Sequence, residues 1–355
     1  MPEHQTRERL SQHILGSLAT AALGDAMGAA TEQHSIAEIV ERFGGLVREL
    51  YVPSAETFSH GNLAGQITDD TSQMFALAQT LIDSDGELTE QTWIKTLIHW
   101  SQTSPHKNQM GPTTRPLLEA LAAGQDTSVI GRSPFSTRKL TSFGTTNGAA
   151  MRIAPAGLIY PGDIDSAVRL AWTTSRPTHD TQIAAAGAGA IAAGVAHALT
   201  PGADVLSVVR ACIDGARLGE QIGIREGRRV PGPNIARRIE LAVEEALRAT
   251  SLLDAIERIE ASVGNSVMMV ESAPAAIGVF VAAAGDPLDT VSAGASIGND
   301  SDTIAAMAGA LSGALRGIDA VPAELFARVK AVNHEDIETI SAGLTTIAWR
   351  RYAAR

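Results

Sequence analysis

The sequence predicts an all-α protein, one domain of a dozen or more helices spanning residues 1–355. Three observations carry this. Apolar residues recur at helical spacing along nearly the whole chain, and strand signals are few. Hydrophobic residues make up 45% of the chain but aromatics only 4%, so a large core must be filled by small aliphatic side chains. That suits helices whose backbones approach closely. No long linker, low-complexity tract, fixed-period repeat or break in composition divides the chain.

The elements follow in order. "ERLSQHILGSLATAALGDAMGAA" reads as a helix ending in glycine-rich sequence. "GLVRELYV", 45 to 52, is the one tempting strand and reads equally as extended loop. "DDTSQMFALAQTLIDS" opens with acids and then sets Met74, Leu77, Ala78 and Leu81 on one stripe. Helices also fit "TEQTWIKTLIHWSQT", "TRPLLEALAAG" and "DIDSAVRLAWTTS". The run "IAAAGAGAIAAGVAHAL", 183 to 199, is shorter than the roughly 20 residues of a bilayer span and is built of alanine and glycine rather than leucine. It reads as a buried helix packed through small residues, and no membrane partner is expected. "ADVLSVVRACIDGARLG", "NIARRIELAVEEALRA" and "LLDAIERIEAS" are helical too. In "ESAPAAIGVF", Ser272 two residues before Pro274 marks a helix start. "PLDTVSAGASIG", "SDTIAAMAGALSGALRG" and "AELFARVKAVN" complete the set. The long irregular stretches, about 52–67, 103–114 and 132–150, are rich in Gly, Ser and Thr. Loops this long in a helical protein usually build sites.

The net charge of −11 argues against a nucleic-acid backbone as main partner, whereas an acidic site suits a divalent cation. Cys212 is the single cysteine, so no intrachain disulfide can form. The N-terminal "MPEHQTRERLSQHILGSL" lacks the apolar core and small-residue cleavage site of a signal peptide. A reducing, cytoplasmic location is the expectation.

Three acidic clusters stand out: Asp25 and Glu32 in "GDAMGAATE"; Thr68, Asp69, Asp70 and Thr71 in "TDDTSQ"; and Asp300, Asp302 and Thr303 in "GNDSDT". Carboxylates with hydroxyls form a hard ligand set for magnesium, manganese or calcium. The last two clusters each precede a helix, where the partial positive charge of the N-terminus supports carboxylates. An aspartate at a helix start is also an ordinary cap. Capping explains one acid per start, but not doubled acids at two starts. Four carboxylates crowded together without cations would repel and raise each other's pKa. Asp25 reads as a structural hydrogen-bonder, and Glu32 alone carries no signal. "FGTTNGAAMRIAP" holds the turn dipeptide Asn147-Gly148 and runs into Met151 and Arg152. Its amides could cradle a phosphate, or simply turn the chain. His179 in "RPTHDTQ" is a lone histidine at a helix start, read by itself as structural. The chain has no serine-nucleophile elbow, P-loop or HExxH motif, and too few cysteines for a cysteine zinc site.

Taken together, these stretches resemble the ADP-ribosylglycohydrolases. "GSLATAALGDAMGAATE" resembles the family's first helix and the acid that follows it, and "GQITDDTSQM" its Thr-Asp-Asp-Thr motif. "GPTTRPLLEAL", "TNGAAMRIAPAGL", "RPTHDTQIAAAGAGAIAA" and the segment from "ESAPAAIGVF" to "SGALRG" follow in family order, so the resemblance covers about residues 12 to 317. It implies a compact orthogonal helical bundle and a centre of two Mg2+ ions, with Mn2+ as a substitute. Thr68, Asp69, Asp70, Asp300, Asp302 and Thr303 would be the metal ligands. Glu32, with Asp69 and Asp302, would be the catalytic group. Asn147, Gly148 and Met151 would hold diphosphate and ribose, with His179, Gly111 and Asn299 lining the same cleft.

Two departures fall on the diphosphate side. The family's Gly-Gly before the third cluster is Gly298-Asn299 here, and asparagine tolerates the positive φ of such a turn. "TTNGAAMR" lacks the serine of the usual Asn-Gly-Ser loop. The implied activity is magnesium-dependent hydrolysis of the C1 bond that joins an ADP-ribosyl group to a protein side chain or small acceptor. The alternatives are a smaller ribosyl metabolite or nucleoside as substrate, or an ADP-ribose-binding protein without turnover.

Overall fold

A computed structural model describes residues 6–355, so the first five residues of the polar N-terminal stretch lie outside it. The described residues form sixteen α-helices: α1 Arg7–Gly28, α2 Ile36–Phe43, α3 Asp69–Asp83, α4 Glu90–Thr103, α5 Thr114–Ala122, α6 Ala154–Leu158, α7 Ile164–Ser175, α8 Gln182–Ala198, α9 Val205–Glu226, α10 Ile235–Arg248, α11 Leu252–Ser262, α12 Met269–Ala282, α13 Pro287–Ser296, α14 Ser301–Arg316, α15 Ala323–Asn333 and α16 Ile337–Ala353. No strand forms among the described residues, only three isolated bridges. One of these, Thr146 with Met268, ties the Asn-Gly loop to the approach to α12.

The centre is the crossing of α1 and α14. Small residues let the two backbones touch. A Cβ at Gly24 would stand 2.4 Å from the Ala305 carbonyl oxygen, and one at Gly28 would stand 2.4 Å from the Cα of Asp302. The same device joins α8 to α9, where a Cβ at Gly219 would lie 2.2 Å from the Ala185 oxygen. Alanine and glycine thus do in this core what aromatics do elsewhere, trading side-chain bulk for close packing. The main apolar core runs from α1 to α16, and a small second cluster, Val168, Trp172, Ala185, Ala193 and Ile222, lies between α7, α8 and α9. Its α8 segment is buried almost throughout, and no described helix is long and apolar enough to cross a membrane.

Two details differ from the sequence reading, and one that it left open is decided. Segment 45–52 takes the loop alternative and pairs with no strand among the described residues. Instead Val47 donates its N–H to Ser296 Oγ (2.8 Å) and accepts from Ser292 Oγ (2.5 Å), so side chains of α13 replace a ladder. Pro274 lies inside α12 rather than at its start, because Met269 is anchored one turn earlier by its N–H to the Thr145 carbonyl (3.0 Å) and is fully buried. Helices α2, α6 and α16 are additions. For α2 the signal is a capping box, Ser35 with Glu38. For α16 it is Ile337, Ile340, Leu344 and Ile347 at helical spacing.

Candidate active site

The start of α3 is built from behind. The Thr68 hydroxyl caps the helix by accepting the Asp70 N–H (3.3 Å). Asp25, fully buried near the end of α1, accepts the Thr68 N–H on both oxygens (3.1 and 3.0 Å) and the Thr71 N–H (3.1 Å). These bonds satisfy the donors a helix start leaves free. Asp69 and Asp70 are therefore released from capping. Asp69 Oδ2 accepts from Gln73 Nε2 (2.9 Å), while Asp70 Oδ2 is buried without a partner among the described residues.

The start of α14 is built differently. Asp300 is its N-cap residue, yet its side chain makes no capping bond. Its Oδ2 accepts from Asn147 Nδ2 (2.5 Å). Ser301, not an aspartate, anchors the turn to α1 through the Gly28 carbonyl (3.0 Å) and Thr31 Oγ1 (2.9 Å). Asp302 Oδ1 is buried and unpartnered among the described residues. Neither aspartate pair is thus a pair of caps.

Both starts open on one cavity of about 280 Å3. Glu32, Thr68, Asp69, Asp70, Asp300, Asp302 and Thr303 line it, as do Gly111, Asn147, Gly148 and Met151. Phe58, Met110, Pro112 and Val267 add apolar wall, and Phe58 stands 69% exposed at the mouth. Loops 52–67, 103–114 and 132–150 all contribute. Burial, and then mutual repulsion, pushes the carboxyls of Asp69, Asp70 and Asp302 well above the usual range. Burial raises Asp300 to about 6, against hydrogen bonds from Asn147 and Thr303. Glu32 sits just after α1, where Ser59 Oγ donates to its Oε2 (2.7 Å). Burial lifts its pKa to about 7.

Among the described residues no three acidic, histidine or cysteine groups close on one point as a finished metal shell. The donor chemistry nevertheless fits a hard cation. Carboxylates and threonine hydroxyls face one space, and two buried carboxylate oxygens have no donor among the described residues.

Two residues expected in the cleft are not on its surface. His179 is fully buried behind Gly148, where a Cβ would meet its Cε1 at 3.0 Å. Burial, with Arg152 nearby, lowers its pKa to about 3, so it is neutral. Asn299 has φ +54°, the left-handed backbone its turn demands, and its side chain donates to Asn265 Oδ1 (3.2 Å) instead of facing the cavity. It holds the turn that presents Asp300. Ser59, Gln73 and Phe58 escaped the sequence reading. Ser59 and Phe58 lie in the loop 52–67, but only the fold brings them to Glu32 and the cavity mouth. Gln73 lies one turn after Asp69, the sole cue available.

The family model for ADP-ribosylglycohydrolase matches residues 6–353. The uncharacterized protein YegU of Escherichia coli is 31% identical over 346 residues, covering 97% of this chain and 99% of its own. Human ADP-ribosylhydrolase ARH3 is 26% identical over 333 residues, covering 86% of each chain. A solved structure described as an ADP-ribosylglycohydrolase-related protein complex superposes with a TM-score of 0.67 at 22% identity, covering 96% of this chain and 99% of that one, a likeness of fold. The chain belongs to the ADP-ribosylglycohydrolase family.

Proposed function

We propose that the protein is a magnesium-dependent glycohydrolase that cleaves the C1 glycosidic bond of an ADP-ribosyl group. Glycohydrolase activity follows from family membership, and the ion, the bond and the substrate are our reading. The observation that carries it is the pair of acidic helix starts released from capping and opening on one cavity. Two Mg2+ ions, held by Thr68, Asp69, Asp70, Asp300, Asp302 and Thr303, would supply Lewis-acid charge for binding ribose hydroxyls when bound. The chain's own residues do the rest. The acidic walls favour positive charge developing on the sugar ring. Glu32, with a carboxyl near neutrality and fixed by Ser59, can exchange a proton with water or the leaving group, assisted by Asp69 or Asp302. The loop of Asn147, Gly148 and Met151 carries ribose and phosphate, and the apolar side with Met110 and Phe58 takes the less polar part of the ligand.

A second reading, a smaller ribosyl metabolite or nucleoside, is favoured by the cavity. At about 280 Å3 it sits just below the roughly 300–1,000 Å3 of common ligand sites, and the loop has alanine where the family resemblance leads one to expect serine. Calorimetric titration with ADP-ribose, in Mg2+ and after chelation, tests the two. Mg2+-dependent binding supports the ADP-ribosyl substrate, and turnover of ADP-ribosylated arginine or serine then identifies the acceptor. No binding in Mg2+, with metal bound to the protein, selects the smaller compound.

A further inference from the structure

Arg152 is a fully buried guanidinium at the end of the Asn-Gly loop. A buried charge is costly unless it is paired or fully hydrogen-bonded, yet among the described residues this one is bonded only to neutral groups and its Nε has no partner. Its Nη1 donates to Gln73 Oε1 (2.5 Å), its Nη2 donates to Thr178 Oγ1 (2.9 Å), and it stands 5.5 Å over the Trp93 ring. Each bond fixes the direction of the next. Gln73 must turn its oxygen to Arg152, so its Nε2 faces Asp69 and donates to Oδ2 (2.9 Å). Thr178 Oγ1 accepts from Arg152, and its own proton goes to His179 Nδ1 at 2.8 Å in preference to the Ser175 carbonyl at 3.5 Å. His179 is then the Nε2–H tautomer and donates to Thr146 Oγ1 (2.9 Å). At the far end the Thr146 hydroxyl donates to Thr113 Oγ1 (3.2 Å), the direction that leaves Thr146 accepting from His179. The electrostatics agree, because a lone pair on Nδ1, not an N–H, belongs on the side of a buried cation.

We infer that Arg152 is a positioning residue which, through Gln73 on one arm and Thr178 and His179 on the other, sets every proton direction in this network and presents Asp69 and Thr146 to the cavity in fixed roles. Both end residues line the cavity. Asp69 is held by an N–H on Oδ2, which leaves its other oxygen for the cavity. Thr146, its proton committed to Thr113, offers the cavity an acceptor only, suited to a ligand hydroxyl. His179, absent from the cavity surface, thereby acts on the site at one remove. The inference rests on reading the cavity as the catalytic site only for its consequence, not for its network.

The test is nitrogen NMR of the protein labelled on its histidine rings, with the His179 signals assigned by their loss in His179→Gln. The wild type is expected to show His179 as the neutral Nε2–H tautomer throughout about pH 6 to 8. An Nδ1–H tautomer or an imidazolium overturns the proposal without any variant having to fold. The Asp69 arm is read by titrating Mg2+ alone into Gln73→Leu. Affinity should fall about 10–100-fold, as for other partners that orient metal ligands, while His179 keeps its wild-type signature. Unchanged affinity overturns that arm. Arg152→Lys, which keeps the charge but cannot serve both neighbours, should weaken Mg2+ binding and mix the tautomers together. Failure of all ADP-ribosyl substrates would defeat the proposed function and leave the tautomer result standing.

Discussion

The starts of α3 and α14 carry the same chemistry on opposite supports. At α3 the support is ionic and deep: Asp25 takes two backbone N–H groups, and a guanidinium stands behind Asp69 through Gln73. At α14 the support is neutral and close: Ser301 and Thr31 bond to carbonyls and each other, and a glycine of α1 lets the backbone in. One start is positioned by electrostatics, the other by steric contact. Yet each ends with one buried carboxylate oxygen that has no partner among the described residues, on Asp70 and on Asp302. The supports differ, and the unsatisfied oxygen is what the two starts share.

The largest effect should therefore be the same at both starts. Asp70→Ala and Asp302→Ala are each expected to remove turnover and weaken Mg2+ binding while helical circular dichroism persists. In chelator, both variants should melt higher than wild type, because each deletes a buried carboxylate oxygen that no hydrogen bond compensates. A fully active Asp302→Ala enzyme would end the metal-centre reading. Glu32, outside both helices, should separate from them. Glu32→Gln is expected to lower kcat about 10²–10⁴-fold, the usual worth of a general acid or base. Wild-type hydrolysis by that variant removes Glu32 from proton transfer.

The difference in support should appear in stability. Asp25→Ala strands the buried N–H groups of Thr68 and Thr71 and should cost about 2–6 kcal/mol, at about 1–3 kcal/mol for each. Ser301→Ala loses two neutral bonds, to the Gly28 carbonyl and Thr31, and should cost about 1–3 kcal/mol, since the glycine contact remains. Denaturant melts of the two variants measure this, and equal losses would collapse the distinction between the two starts.

The sequence makes some of this legible and hides the rest for physical reasons. Doubled acids at two helix starts exceed what capping can use, so the residues of the site stand out in the bare chain. The helices around it follow from periodicity. Distance does not. His179 and Gly148 are far apart in the chain, and only packing puts the imidazole behind the loop instead of in the cleft. Asn299 sits beside Asp300, yet its left-handed backbone turns the side chain toward Asn265. Arg152 is visible as the last residue of "NGAAMR", but its burial, and hence its reach to Asp69, depends on Gln73 one turn into another helix.

The smallest expected effect tests the crowding of charge that both starts share. Glu32 has an ordinary value of 4.5 in the unfolded chain and about 7 when folded. The folded state therefore binds a proton that the unfolded state does not, and stability falls as pH rises through about 7. Asp300, at about 6 when folded against 3.8, acts in the same sense at lower pH. His179 acts in the opposite sense: held at about 3 against 6.5, it withdraws stability as pH drops below 6.5. The window in which the carboxylates dominate is thus about pH 6.5 to 8. There the chelated protein should melt about 1–2 °C higher at the acid end, for roughly 1 kcal/mol of relieved desolvation and repulsion. Cations compete with protons for the same oxygens, so the gain in Tm on adding Mg2+ should be larger at pH 8 than at pH 6.5. Scanning calorimetry at the two pH values, with chelator and with Mg2+, gives the four melting temperatures. An Mg2+ gain that does not change with pH would mean that the ion binds away from these carboxylates, and the shared need of the two helix starts would have to be met by something other than a cation.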